Sequence, residues 1–377
     1  MSPTPVTFTS PVLPTSYAWE ATNEQVAERY GVPIESIVRF DLNTSPTPPA
    51  LVERLLAAGE FDAPLSEYPP SDYRRLTEAA AARYGVATDE ILVGAGADEI
   101  LDLVAKTFVA DGARAVLPAP TYAMYRVLTE QRGAEVVAVP RRPASEGWAL
   151  DVDAVRAAAR GSAVVWLCSP NNPTALAEPR GIVEALLDGL AADTPEPPIV
   201  VLDEAYAEFV GTTLLPLREA YPRLVVVRTA SKAYALAGLR VGFAIARPEV
   251  IARMNPYRPP GSVSTVSVTI VTEALLDPAI LEGNLARVEH ERDRLAVALT
   301  AAGWSVGPSV TNFLLVDFGT PERSAAVAEG LLSRGLVPRT FPAGHPLAAY
   351  LRLTVRDRHE NDRLIEAAGE LSSETPA

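Results

Sequence analysis

Between residues 72 and 255 short apolar runs alternate with longer stretches in which apolar positions return every three or four residues. An uninterrupted run of β-branched and aliphatic residues predicts a strand buried on both faces, and the three-to-four spacing predicts an amphipathic helix. The pattern predicts strands over residues 91–93, 114–117, 135–139, 163–167, 199–202, 224–227 and 241–246. Helices are predicted between most of them, as over residues 121–131 and 152–160. Such alternation gives an α/β unit, a mainly parallel seven-stranded sheet with helices on both faces. Pro256, Pro259, Pro260 and Gly261 then predict a joint. Beyond it a long helix over residues 282–302 and strands over 313–317 and 350–354 predict a smaller α+β domain. Ahead of the sheet, Thr22 and Gln25 form a capping-box pattern that opens a short helix through Tyr30, preceded by an arm rich in Pro, Thr and Ser. We divide the chain into an arm with its short helix (1–40), a large domain (41–258) and a small C-terminal domain (259–377).

Composition narrows the function classes. A chain of 377 residues with 48% hydrophobic and 21% charged residues is an ordinary globular composition. Its net charge of −14 argues against nucleic acid, which needs a cationic face. No apolar stretch approaches membrane-spanning length and no basic-then-apolar segment opens the chain, so a cytosolic protein is expected. The lone Cys168 has no disulfide partner and sits in an apolar run, as a buried thiol does. His290, His345 and His359 lack metal-ligand spacing, so no metal is expected. Lysine occurs only at Lys106 and Lys232. Lys106 falls on a solvated helix face, which leaves Lys232 as the candidate for any chemistry needing a primary amine.

Five predicted strands lead directly into unusual segments: Gly94-Ala-Gly-Ala-Asp-Glu99, Pro118-Ala-Pro-Thr-Tyr122, Ser169-Pro-Asn-Asn-Pro-Thr174, Asp203-Glu-Ala-Tyr206 and Arg228-Thr-Ala-Ser-Lys232. Ligands of open α/β sheets bind beyond the carboxyl ends of strands, so these segments predict one composite site. Gly94 and Gly96 let the backbone approach an anion, and a helix N-terminus begins at Ala97. Thr229, Ser231 and Arg240 suit a phosphate ester. Asp203 resembles a magnesium-holding strand end, but no G-x-x-x-x-G-K-[ST] loop supplies the phosphate half. It can instead balance a protonated ring nitrogen. Asn172 and Tyr206 can donate to a phenolate oxygen. A lysine beside a phosphate cluster and opposite an aspartate is the arrangement pyridoxal phosphate needs.

These runs, with Ser231-Lys-Ala-Tyr-Ala-Leu-Ala-Gly-Leu-Arg-Val-Gly-Phe243, Pro120-Thr-Tyr-Ala-Met-Tyr125 and Tyr350-Leu-Arg352, resemble the fold-type-I aminotransferases over about residues 40–365. Within them the chain looks most like the histidinol-phosphate aminotransferase family. The resemblance implies that Lys232 carries pyridoxal 5'-phosphate as a Schiff base and later moves the substrate proton, with Arg240 nearby lowering its pKa. It implies that Asp203 pairs with the ring nitrogen and Tyr122 stacks on the ring, while Asn172 and Tyr206 bind its oxygen. Gly96, Ala97, Asp98, Thr229, Ser231 and Arg240 would hold the phosphate, joined by Tyr68 from a second copy in a homodimer. Arg352, with Arg339 and Asn43, would meet the substrate.

The chain departs from the family at three places. Asn43-Thr-Ser-Pro46 replaces Asn-Glu-Asn-Pro, Ala175 replaces a glycine after Asn-Pro-Thr, and Arg356 stands where a glycine is usual. The first and third are expected on the substrate side. The expected reaction is amino transfer between an amino acid or histidinol-phosphate-like donor and a 2-oxo acid such as 2-oxoglutarate. Alternatives are an aromatic aminotransferase, a threonine-phosphate-type decarboxylase, or a non-catalytic cofactor-binding regulator, for which the N-terminus is too short and too weakly basic. Tyr17 is a further candidate substrate contact.

Overall fold

The structure, a computed structural model, describes residues 15–374; the first fourteen residues of the expected arm lie outside them. After a two-residue strand β1 (Val38–Arg39) come β2 (Ile91–Gly94), β3 (Arg114–Ala119), β4 (Glu135–Pro140), β5 (Val164–Cys168), β6 (Ile199–Asp203), β7 (Leu224–Thr229) and β8 (Gly242–Ile245). The last seven form one sheet in the order β2-β8-β7-β6-β5-β3-β4. The strands from β7 through β6, β5 and β3 to β4 pair in parallel. β8 runs antiparallel to both β7 and β2.

Alternation along the central strands explains the two-sided burial. Val165 and Leu167 of β5 join one apolar cluster, with residues of the helices Arg74–Tyr84, Val152–Ala159 and Arg180–Asp193. Val164, Trp166 and Cys168 join the other, with the helices Gly96–Phe108 and Met124–Gln131. All five residues of β5 and of β6 are buried, which is why these strands read as continuous apolar runs.

The smaller unit has β9 (Ser305–Val306), β10 (Phe313–Asp317), β11 (Leu336–Val337) and β12 (Tyr350–Thr354), with β10 between β12 and β9 and β11 paired to β1. Val38 and Phe40 enter its core beside Leu295, Leu314 and Leu353. The helix Thr265–Leu276 packs Val268, Ile270 and Val271 into the large-sheet cluster instead, as does Leu281 early in the long helix Pro278–Ala301. On packing, therefore, the change of core falls inside that long helix rather than at residue 258, because the Pro-rich joint turns the chain without leaving the large unit. The Thr22–Gln25 capping box closes as expected on the helix Asn23–Tyr30. No helix among the described residues is long and apolar enough to cross a membrane.

Candidate active site

Sheet register brings the chemistry to one edge. Cys168 is level with Asp203, Asp203 with Val227, and Thr229 with Gly242, which is itself level with Gly94. A cavity of about 690 Å³ opens there between the two units, large enough for a cofactor together with a small substrate. Of the residues singled out from the sequence, Asn43, Ala97, Asp98, Tyr122, Asn172, Asp203, Tyr206, Thr229, Ser231, Lys232, Arg240, Arg339 and Arg352 all line it. Tyr68 does not: it is 90% exposed on the outside of the chain, near Gly261.

Lys232 directs Nζ to the carbonyl oxygens of Leu42 (3.4 Å) and Asn43 (3.2 Å), with the ring of Tyr206 below at 5.6 Å. Burial pulls its pKa down to about 8, and Arg352 adds to the fall; Arg240, the cation expected from sequence to do this, contributes less. Asp203 is buried, accepting hydrogen bonds from the Tyr125 hydroxyl (2.7 Å) and the Ala205 N–H (3.0 Å). Burial nevertheless pushes its carboxyl up to about 6. Two hydrogen bonds therefore do not replace the solvation it has lost, and a cationic partner in the cavity would.

Opposite them lies an anion seat. Ala97 and Asp98 occupy the first turn of the helix Gly96–Phe108, where backbone N–H groups lack intrahelical acceptors. Gly96 has φ +82°, and a Cβ there would strike the guanidinium of Arg240. Arg240 reaches Asp98 at 3.3 Å and the Ala237 carbonyl at 3.1 Å, leaving donors to spare. The Thr229 hydroxyl donates to the Val241 carbonyl and accepts from the Ser231 N–H; Ser231 Oγ has no hydrogen-bond partner among the described residues. Gly242 fixes the depth of this seat, since a Cβ there would lie 2.5 Å from Ala97 N and from the carbonyl carbon of Gly96. Neither atom can yield without moving the helix start. Gly242→Ala is expected to cost about 1–3 kcal/mol in urea unfolding; an unchanged midpoint would show that the helix start yields freely.

The opposite wall is cationic. Arg352 is buried, donates to Asn172 Oδ1 at 2.6 Å and to the Asp41 carbonyl, and lies over the Phe313 ring. Its Nε has no hydrogen-bond partner among the described residues. Arg339 holds the Ala18 carbonyl at 2.7 Å and covers the Tyr17 ring. Tyr17 and Trp19 thus form part of the cavity wall, and Glu20 pins this strap through Thr340.

A family model described as aminotransferase class I and II matches residues 36–367. The chain belongs to that family. A histidinol-phosphate aminotransferase of Roseiflexus castenholzii is 37% identical over 360 residues, 93% of each chain. One from Symbiobacterium thermophilum is 38% identical over 340 residues, 89% of this chain and 90% of its own. Among solved structures, the histidinol-phosphate aminotransferase of Sinorhizobium meliloti in complex with pyridoxal-5'-phosphate superposes with a TM-score of 0.85. It is 26% identical, with 95% of this chain and 96% of that one covered. The protein is a transaminase, and pyridoxal phosphate is its cofactor. The donor set fits that group: a buried amine, a buried carboxylate short of a cation, and a glycine-lined anion seat with a free hydroxyl.

Several details add to the sequence reading, and the place of Arg356 corrects it. Asn172 offers its amide oxygen to Arg352, leaving only its NH₂ for the cavity. Tyr122 donates to Asp98 Oδ1 at 3.0 Å and meets Tyr125 edge-on. Arg356 does not line the cavity; it lies behind the loop that does, donating to the Thr44 carbonyl at 3.1 Å. Ala175 has φ 64°, a left-handed conformation costing an L-residue roughly 1–2 kcal/mol. Its methyl is fully buried in a cluster with Tyr206 and Phe313, which offsets roughly 0.8 kcal/mol of that cost. Cys168 borders the cavity but is inert, since burial lifts its thiol to about 12. Sequence reasoning missed Tyr125, Leu42 and Trp19. Tyr125 alone carried a signal, standing three residues after Tyr122 in the stretch read from sequence as one helix, which the structure begins at Met124.

Proposed function

We propose that this aminotransferase takes its amino group from a histidinol-phosphate-like amino-alcohol phosphate or an amino acid and returns it with a 2-oxo acid such as 2-oxoglutarate. The observation that carries the reading is the pair Arg352 and Arg339 on one wall of the cavity. A guanidinium binds a phosphate ester and a carboxylate by the same two-pronged geometry, so one wall can serve both halves of the exchange. The names of the relatives from Roseiflexus castenholzii and Symbiobacterium thermophilum point the same way.

In this reading Lys232 Nζ is the covalent anchor of the cofactor, and Asp203 holds the ring nitrogen in its protonated form. Bound there, the cofactor supplies an electron sink for the bond broken at the substrate's α-carbon. Asn172 Nδ2 and the Tyr206 hydroxyl orient the ring through its oxygen, and Tyr122 covers it. Ala97, Asp98, Thr229, Ser231 and Arg240 hold the phosphate by backbone N–H, hydroxyl and guanidinium donors. As a free amine, Lys232 would carry the α-proton as a base, since burial leaves it partly neutral near pH 8. Tyr17 and Trp19 narrow the cavity mouth, keeping water from the reacting atoms. The exposed Tyr68 completes the phosphate seat of a second copy in a homodimer. A cytosolic location accords with a single, unpaired thiol.

An absorbance titration of the cofactor-loaded protein tests the substrate. Histidinol phosphate and glutamate are each expected to bleach the cofactor's visible band, with the matching keto product formed. Bleaching by phenylalanine alone would move the substrate to aromatic amino acids, and carbon dioxide release from threonine phosphate would replace the reaction by decarboxylation.

A further inference from the structure

Two departures from the family pattern, at residues 44–45 and at residue 356, meet in space. Arg356 is buried and donates through Nη1 to the Thr44 carbonyl at 3.1 Å. Its Nε and Nη2 form a two-pronged pair with Glu360 at 3.0 and 3.1 Å. Its own carbonyl accepts from Arg287 Nη1 at 3.3 Å, while Arg287 Nη2 donates to Ser45 Oγ at 2.8 Å. The loop is therefore gripped at consecutive residues from one side. Upstream, Asn43 is held in a left-handed conformation (φ 54°) with its N–H on Thr354 Oγ1 and its carbonyl accepting from Asn312. A residue other than glycine keeps that conformation only where its surroundings over-determine it. The outcome of all this bonding is the placement of two adjacent carbonyl oxygens, of Leu42 and Asn43, both on Lys232 Nζ.

A neutral amine has two hydrogens and one lone pair. If both hydrogens go to two fixed carbonyls, the lone pair is directed away from them. We propose that Arg356 is a positioning residue for Lys232: by clasping the Thr44 carbonyl it fixes the Leu42–Asn43 carbonyl pair that receives the amine's hydrogens, so that the freed nitrogen presents its lone pair to the substrate. The inference rests on the proposed role of Lys232 and assigns a function to residues outside the cavity wall. Glu360 acts with it by fixing the guanidinium plane, a task that a lysine at residue 356 performs poorly because its ammonium is a single point of charge.

The chain's two lysines make the test direct. Cofactor-free wild type, Arg356→Gly and Arg356→Lys are labelled with acetic anhydride across a pH series, and the acetylation of each lysine is read by mass spectrometry, with Lys106 as internal reference. Carbonyl acceptors favour the protonated amine, so loosening them is expected to lower the Lys232 midpoint by about half a unit or more in Arg356→Gly. Arg356→Lys should fall between that variant and wild type, and the Lys106 midpoint should stay in place. In the cofactor-loaded Arg356→Gly protein the donor half-reaction is expected to slow about ten-fold, with the donor's dissociation constant within about two-fold of wild type. A Lys232 midpoint equal to that of wild type overturns the proposal, even if the rate falls, since the effect then does not pass through Lys232. Should Arg356→Gly not fold, Arg356→Lys decides by the same midpoint. Failure of the underlying reading shows separately, as turnover surviving Lys232→Ala, which leaves this titration unaffected.

Discussion

Cofactor-loaded Lys232→Ala is expected to transaminate at least about ten-thousand-fold more slowly than wild type, with its fold intact. The other lysine cannot substitute: Lys106 lies on the helix Gly96–Phe108, paired with Asp102 at 2.6 Å and outside the cavity. Lys232 is unusual in being both buried and close to neutrality, its pKa held at about 8 by burial and Arg352. At pH 7.5 roughly a quarter of such amines are neutral, against about one in a thousand for a solvated lysine. Folding gains from the substitution. A lysine whose folded-state pKa is depressed costs stability wherever both states are protonated, and that cost fades as pH rises from about 8 towards the ordinary lysine value. Cofactor-free Lys232→Ala should therefore melt no lower than wild type at pH 7, and the two should converge at high pH. Borohydride reduction followed by mass spectrometry should leave the cofactor on wild type and on no residue of the variant. A variant within a hundred-fold of the wild-type rate would remove Lys232 from the reaction.

The sequence carried the large sheet because burial on both faces writes strands as unbroken apolar runs; β5 and β6 begin and end within about one residue of expectation. Strand direction was not legible, since Gly242–Ile245 reads the same whether parallel or antiparallel, and only the short connection from Thr229 hints that β8 turns back. The two-residue strands β1 and β11 are too short for any period. Thr265–Leu276 is buried along most of its length and so shows no amphipathic stripe to say which unit it joins. In the site, the residues that end strands were readable because the chain must break its apolar run to place them. Leu42 was not, because it acts through its backbone carbonyl, to which side-chain identity is blind. Arg356 stood out only as a departure, and its partner across 312 residues, the Thr44 carbonyl, becomes visible only once the chain is folded.

Asp203→Asn is expected to lower kcat by about a hundred- to a thousand-fold, leaving the lysine linkage in place. Asparagine fills the same space at the end of β6 and can keep the bond from the Ala205 N–H, so the change removes charge more than shape. What is lost is the anion that would balance a protonated ring nitrogen, and with it the electron sink. The cofactor-free protein supplies an independent check. Burial raises the Asp203 carboxyl from the ordinary range to about 6, so the folded chain binds this proton more tightly than the unfolded chain does. Its contribution to stability is fully present below about pH 4 and is lost as pH rises through about 6. An asparagine does not titrate. Between pH 5 and 7 the stability of wild type relative to Asp203→Asn should therefore fall by on the order of 1 kcal/mol in urea unfolding. A gap that stays constant across that range would mean that the carboxylate is already satisfied by Tyr125 and Ala205 alone, and that the site does not call for a cation there. With the gap present and kcat reduced, the same unbalanced charge accounts for both: a carboxylate kept dry at the sheet edge, costly to the empty protein and answered by the cofactor.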